Sequence, residues 1–226
     1  MCSRYSLTSP PEAVRALFRY DAVHTFPPRY NIAPTQPVAI VRIGHRNERE
    51  FTLVRWGLIP YWVKKPEDFT TLINARAETA LEKPSFRAGM RYRRCLVPAD
   101  GFYEWIGPPR AKRPHWIKPR AGGPMAFAGL YEHWLGADGS EMESMAILTV
   151  AANADVAAVH DRMPAIIAPE HFDGWLDMRG VKDKMAHPLL QPAPVGLLEV
   201  IEVSPKLNNP RNDMPEVQEP MRTTLL

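Results

Sequence analysis

CLVPADGFYEW, residues 95–105, reads as strand, turn, strand. Apolar and aromatic residues flank an Ala-Asp-Gly break, and Asp and Gly are turn formers. The same pattern continues on both sides. VAIVRI (38–43) and FTLVRW (51–56) read as two strands joined by polar GHRNERE. HWIKP, MAFAGLYEHW (125–134), MESMAILTVAA (142–152), MPAIIA and VGLLEVIEVS (195–204) add further strands. Helices are fewer. PPEAVRALFRY (10–20) places Val14, Leu17 and Phe18 on one stripe, with Pro in the first turn. NADVAAVH (153–160) suits a short helix with Asn153 as N-cap, and PEHFDGWL starts another at Pro169. Strands linked mostly by short turns predict an α+β fold: one β-rich domain over residues 1–226, its core a mainly antiparallel sheet or barrel with peripheral helices. Residues from about 208 to 226, beginning NNPRNDMPEVQEP, read as an extended C-terminal tail.

The 24 prolines imply long, rigid loops over that scaffold, where sites tend to sit. FPPRYNIAPTQP (26–37) is one such loop, GLIPYWVKKPEDF (57–69) is another with exposed aromatics, and IGPPRAKRP (106–114) is a basic hairpin tip. INARAET (73–79) is ambiguous between strand and helix.

At 226 residues and 45% hydrophobic content the chain can bury a sizeable core. No apolar run approaches the roughly 20 residues of a membrane span, and no basic segment followed by an apolar core marks a signal peptide. Two cysteines, Cys2 and Cys95, make no disulfide framework, so a reducing cytoplasmic setting is expected. No Cys or His pair has zinc-ligand spacing; neither a metal nor a cofactor is expected. Residues 1–120 carry 21 Lys and Arg against 10 Asp and Glu, whereas residues 121–226 carry 7 against 15. A basic surface facing nucleic acid fits this asymmetry, and so does plain solvation of two faces.

Cys2 poses a chemical question, because removal of Met1 would give it a free α-amine beside its thiol. In GFYEW, Phe102 and Glu104 share one strand face while Tyr103 and Trp105 share the other. A carboxylate among large aromatics is costly unless paired, and desolvation would lift its pKa toward general-acid range. A Glu facing water or an Arg is the commoner outcome. Asn74, Arg76 and Glu78 fall on one face if INARAET is extended, where Asn74 could orient a partner and Arg76 grip a phosphate, or Arg and Glu could simply pair. His160 in VHDRMP is a proton shuttle or a satisfied structural residue, and Arg162 binds phosphate or caps its segment. Trp56 reads as core; Trp62 is open to stacking on a base. Cys95 reads as a small buried hydrophobe.

Together, MCSRY, RYNIAP (29–34), RWGLIPYW (55–62), LINARAET (72–79), CLVPADGFYEW, LTVAAN (148–153) and HDRMP (160–164) resemble, in order, the motifs of the SOS response-associated peptidase (SRAP) family. EVSPKLNNPRND (202–213) resembles the family's closing strand and tail. One departure is Ser3, where the family commonly has Gly. The resemblance implies a compact β-rich fold with a positive groove, acting on abasic sites in single-stranded DNA as a monomer. It implies that Cys2 crosslinks the opened sugar as a thiazolidine. Glu104 would be general acid/base, His160 would promote ring opening and shuttle protons, and Asn74 would position Cys2. Arg4, Arg76 and Arg162 would hold phosphates, Pro34 and Trp62 would stack or wedge beside the lesion, and Thr149 would support the pocket floor. A thiol peptidase built on Cys2, His160 and Glu104, and a non-covalent single-stranded DNA binder, are the competing readings.

Overall fold

The computed structural model describes residues 2–108 and 111–221. Its strands are β1 (Tyr5–Leu7), β2 (Arg29–Ile32), β3 (Pro37–Ile43), β4 (Arg49–Trp56), β5 (Asn74–Arg76), β6 (Arg94–Ala99), β7 (Gly101–Ile106), β8 (Arg113–Pro119), β9 (Met125–Leu135), β10 (Glu141–Ala151), β11 (Arg162–Pro164), β12 (Ile166–Ile167) and β13 (Leu198–Glu202). Its α-helices are α1 (Pro11–Phe18), α2 (Ala77–Ala80), α3 (Pro84–Tyr92), α4 (Phe172–Leu176) and α5 (Asp183–Ala186). None of the described helices is long and apolar enough to cross a membrane.

Five strands close a ring in the order β10–β4–β3–β6–β9 and back to β10, antiparallel except for the β10–β4 contact. Closure leaves these strands without free edges. It also explains the unbroken apolar run at the start of the quoted stretch, because every residue of β6 is buried. Gly129 on β9 is required by this packing: a Cβ there would stand 2.8 Å from Cys95 Sγ. The second sheet, β13–β8–β7–β1–β2, is antiparallel throughout. Its inner face lays Phe102, Ile117 and Tyr5 on the barrel, with Phe127 edge-on to Tyr5 and Phe102.

CLVPADGFYEW is the corner between the two layers. β6 belongs to the barrel and β7 to the second sheet, so the two strands do not pair with each other. At the corner, the buried Asp100 carboxylate accepts hydrogen bonds from the backbone amides of Thr8 and Ser9 and from both hydroxyls. Gly101 follows because a Cβ there would collide with the Trp116 indole.

Arg29–Ile32, inside the stretch read as a proline-rich loop, form β2, and other segments also differ from expectation. Residues 153–160 form successive turns rather than a helix. Asn153 Oδ1 does cap the Val156 amide at 3.2 Å, but the chain must return at once so that β11 can pair with β10. MPAIIA divides into β11 on β10 and β12 on β9, with Ala165 bonding both ladders between them. The stretch from 208 is not extended. After a 3-10 turn at Pro205–Asn208 the chain folds back through a second at Pro215–Gln218, and Leu207 and Val217 are buried against Tyr103 on the outer face of the second sheet. Part of the basic tip (109–110) and the last five residues lie outside the described residues, as does Met1.

Candidate functional site

β1 is clamped between β7 and β2, with Tyr5 opposite Phe102 and the Tyr103 amide donating to Arg4 O at 3.0 Å. This pairing delivers Cys2 to the end of β7 that carries Glu104. Cys2 is fully buried, and its thiol lies 3.7 Å from Arg4 O. From the barrel side, β5 runs parallel beside β10, with Asn74 opposite Ile147. Asn74 Nδ2 donates to the Cys2 carbonyl at 2.7 Å. Asn74 Oδ1 is buried and makes no hydrogen bond among the described residues.

Glu104 is 4% exposed, so it does not face open water. Burial raises its pKa, and the charges of His160 and Lys112 oppose that rise. The Cys2 thiol is also pushed up, first by burial and then by the Glu104 carboxylate. These couplings join Cys2, Glu104 and His160 in one electrostatic cluster, with Asn74 fixed to Cys2. His160 Nδ1 lies 2.9 Å from the Arg162 amide and 2.8 Å from Asp161 Oδ1. A neutral Nδ1 accepts the amide proton, whereas a protonated Nδ1 faces the Asp161 carboxylate.

Thr149 is buried on β10, its hydroxyl 3.5 Å from Ala75 O, which places it beneath β5. Arg162 is engaged within the chain. Its guanidinium grips both carboxylate oxygens of Glu78 at 2.5 and 2.9 Å and donates to Thr149 O at 2.6 Å. Glu78 lies in α2 instead of sharing an extended face with Asn74 and Arg76, and this ion pair lowers its pKa. Arg76 is exposed. Arg4 turns away from solvent: its Nη1 donates to Asn31 Oδ1 at 2.7 Å and to Leu207 O at 3.2 Å, and it lies over Trp105. Trp56 is core, its indole N–H bonded to Ile73 O, and Cys95 is buried. Pro34 is half-buried in the loop after β2, and this loop is hydrogen-bonded to Trp56 through Thr35 and Gln36. Trp62 is 47% exposed on the loop that leaves the same end of β4.

Sequence reasoning passed over His115. The sheet register sets Glu202, His115 and Glu104 opposite one another on three adjacent strands. The signal was present in the β7–β8 hairpin, where GFYEWI and RPHWIKP align Glu104 with His115.

A family model described as SOS response associated peptidase (SRAP) matches residues 1–210. The chain belongs to the SRAP family. All ten residues singled out above for the site fall within the matched span. Among SRAP relatives, the chain is 37% identical over 223 residues to the abasic site processing protein YoqW of Bacillus subtilis, covering 97% of this chain and 99% of that one. It is 30% identical to the abasic site processing protein HMCES of Rattus norvegicus, covering 97% of this chain and 76% of HMCES. The crystal structure of a Bacteroides thetaiotaomicron protein shares the SRAP architecture, with a TM-score of 0.86 at 27% identity over 97% of this chain and 100% of that one.

Proposed function

We propose that this SRAP protein captures abasic sites in single-stranded DNA through Cys2, once Met1 has been removed. The observation that carries the reading is the convergence on Cys2: Asn74 bonded to its carbonyl and the Glu104 carboxylate coupled to its thiol. The names of YoqW and HMCES support abasic sites as the target.

The abasic sugar opens to an aldehyde as the C1'–O4' bond breaks, with His160 moving the anomeric hydroxyl proton to the ring oxygen. The Cys2 α-amine adds to the carbonyl carbon, and loss of one water gives an imine. Glu104 takes the amine proton and returns it to the departing hydroxyl. The Cys2 thiol then adds across the C=N bond, its proton passing to nitrogen, and a five-membered thiazolidine closes. The product has the mass of protein plus DNA minus one water. Both nucleophiles sit on one residue, so ring closure is intramolecular. A thiol peptidase is less well supported. Reactive thiolates sit in electropositive, partly exposed surroundings, whereas Cys2 is buried beside a carboxylate.

Intact-mass spectrometry, before and after incubation with an abasic-site single-stranded oligonucleotide, tests the reading. The expected result is loss of Met1 and a heat-stable adduct that Cys2→Ala does not form. A Met1-free protein with no adduct removes the proposal and leaves non-covalent binding or peptide hydrolysis.

A further inference from the structure

The loop between β4 and β5 is held at alternate residues by side chains from three barrel strands. Arg55 on β4 donates to Gly57 O at 2.7 Å, Ser144 Oγ on β10 accepts from the Ile59 amide at 2.9 Å, and Trp134 Nε1 on β9 donates to Val63 O at 2.6 Å. Between the last two, the Tyr61 amide faces the buried Glu132 carboxylate, which Arg93 pairs at 2.8 Å. Ile59, Val63 and Trp134 form an apolar cluster separate from the main core, with Phe69 and Met142 packed against it. Phe69 in turn meets Trp62 edge-on, the ring centroids 5.8 Å apart. The chain is thus pinned while Tyr61 and Trp62 remain 60% and 47% exposed.

An exposed aromatic on a loose loop must be ordered when it stacks on a base, at a cost of roughly 0.5–1.5 kcal/mol per side chain. We propose that Trp134 and Ser144 are positioning residues for Trp62: they hold residues 57–63 so that its ring is presented, already ordered, to a nucleobase beside the lesion. This rests on the reading that Trp62 stacks on DNA. Neither residue takes part in the covalent chemistry, so their effect falls on DNA capture and not on the bond-forming rate.

Single-turnover crosslinking over a range of abasic-site oligonucleotide concentrations separates the two. Trp134→Phe removes the N–H donor and keeps an aromatic filler, and Ser144→Ala deletes one hydroxyl. Each is expected to raise the half-saturating DNA concentration by about fivefold, the worth of one hydrogen bond, with the saturating rate unchanged. In a Trp62→Ala background neither should add anything. Unchanged half-saturation in both variants overturns the proposal, and so does the same fold-change with and without Trp62, which makes the pinning merely structural. Should Trp134→Phe not fold, Ser144→Ala alone decides. Failure of the underlying reading is seen separately, as a Trp62→Ala protein that binds DNA like the parent.

Discussion

Asn74 donates its side-chain amide to the carbonyl oxygen of Cys2 at 2.7 Å, tying the second residue of the chain to a strand 72 positions away. A terminal residue is normally free to fray. Here β5 holds Asn74 against β10, so Cys2 inherits the rigidity of the barrel. Asn74→Ala and Asn74→Asp both lack the donor, since a carboxylate can only accept. Both are expected to slow single-turnover crosslinking by roughly tenfold or more, in line with the cost of losing near-attack geometry. Rates within twofold of the parent would remove the positioning role.

Glu104 gives a prediction with a stability side. Its folded-state pKa is raised by burial. Below the ordinary carboxylate pKa of about 4.3 the group is protonated whether the chain is folded or unfolded, and burial carries no charge penalty. As pH rises through the folded value, the folded state must ionise a buried group and loses stability. Glu104→Gln is therefore expected to raise Tm at pH 8, by an amount that shrinks as pH falls toward 4. At pH 4 it should leave Tm unchanged. The same variant should slow crosslinking, because an amide takes no proton from the Cys2 amine. A variant equally fast at pH 8 would exclude Glu104 as the base.

Glu78 occupies both arms of the Arg162 guanidinium. That bidentate geometry is the one a phosphate would use. Glu78→Ala should therefore free Arg162 and tighten binding to single-stranded DNA. The slope of log affinity against log salt should steepen by about 0.7, the value for one added phosphate contact. If affinity and slope stay as they were, Arg162 is a structural link between α2 and β11 and holds no phosphate.

Much of this was legible because it depends on local pattern. Alternating apolar residues marked the strands, and the two faces of GFYEW separated Glu104 from Tyr103 and Trp105 as the structure does. Pairing was not legible. Nothing within CLVPADGFYEW says that its halves join different sheets, because that choice is made by the partners of Asp100 in Thr8 and Ser9. For the same reason the partner of Arg162 was not legible. Its actual partner, Glu78, lies 84 positions away and comes into reach once α2 replaces the end of an extended segment. Residues 153–160 carried a helix's cap without its length, since the demand for a return strand overrode local propensity.

The C-terminal segment also escaped its sequence reading, and it gives the last prediction. Asp213 accepts from Arg29 Nε at 2.5 Å and from the backbone amides of Tyr30 and Asn31 at 2.5 and 2.9 Å. Asn31, fully buried, donates to the carbonyls of Leu207, Asn209 and Asn212 and accepts from Arg4. Arg4 is two residues from Cys2. Asp213→Ala leaves two backbone amides without their acceptor and Arg29 without its carboxylate, which should cost roughly 2–3 kcal/mol. A fall in Tm of about 5–10 °C is expected. Because the loss loosens the strap that also holds Arg4, crosslinking should slow even well below the new Tm. Asp213→Asn keeps one acceptor oxygen and should recover part of both effects. If Tm falls while the low-temperature rate is untouched, the strap stabilises the second sheet without setting the geometry of Cys2.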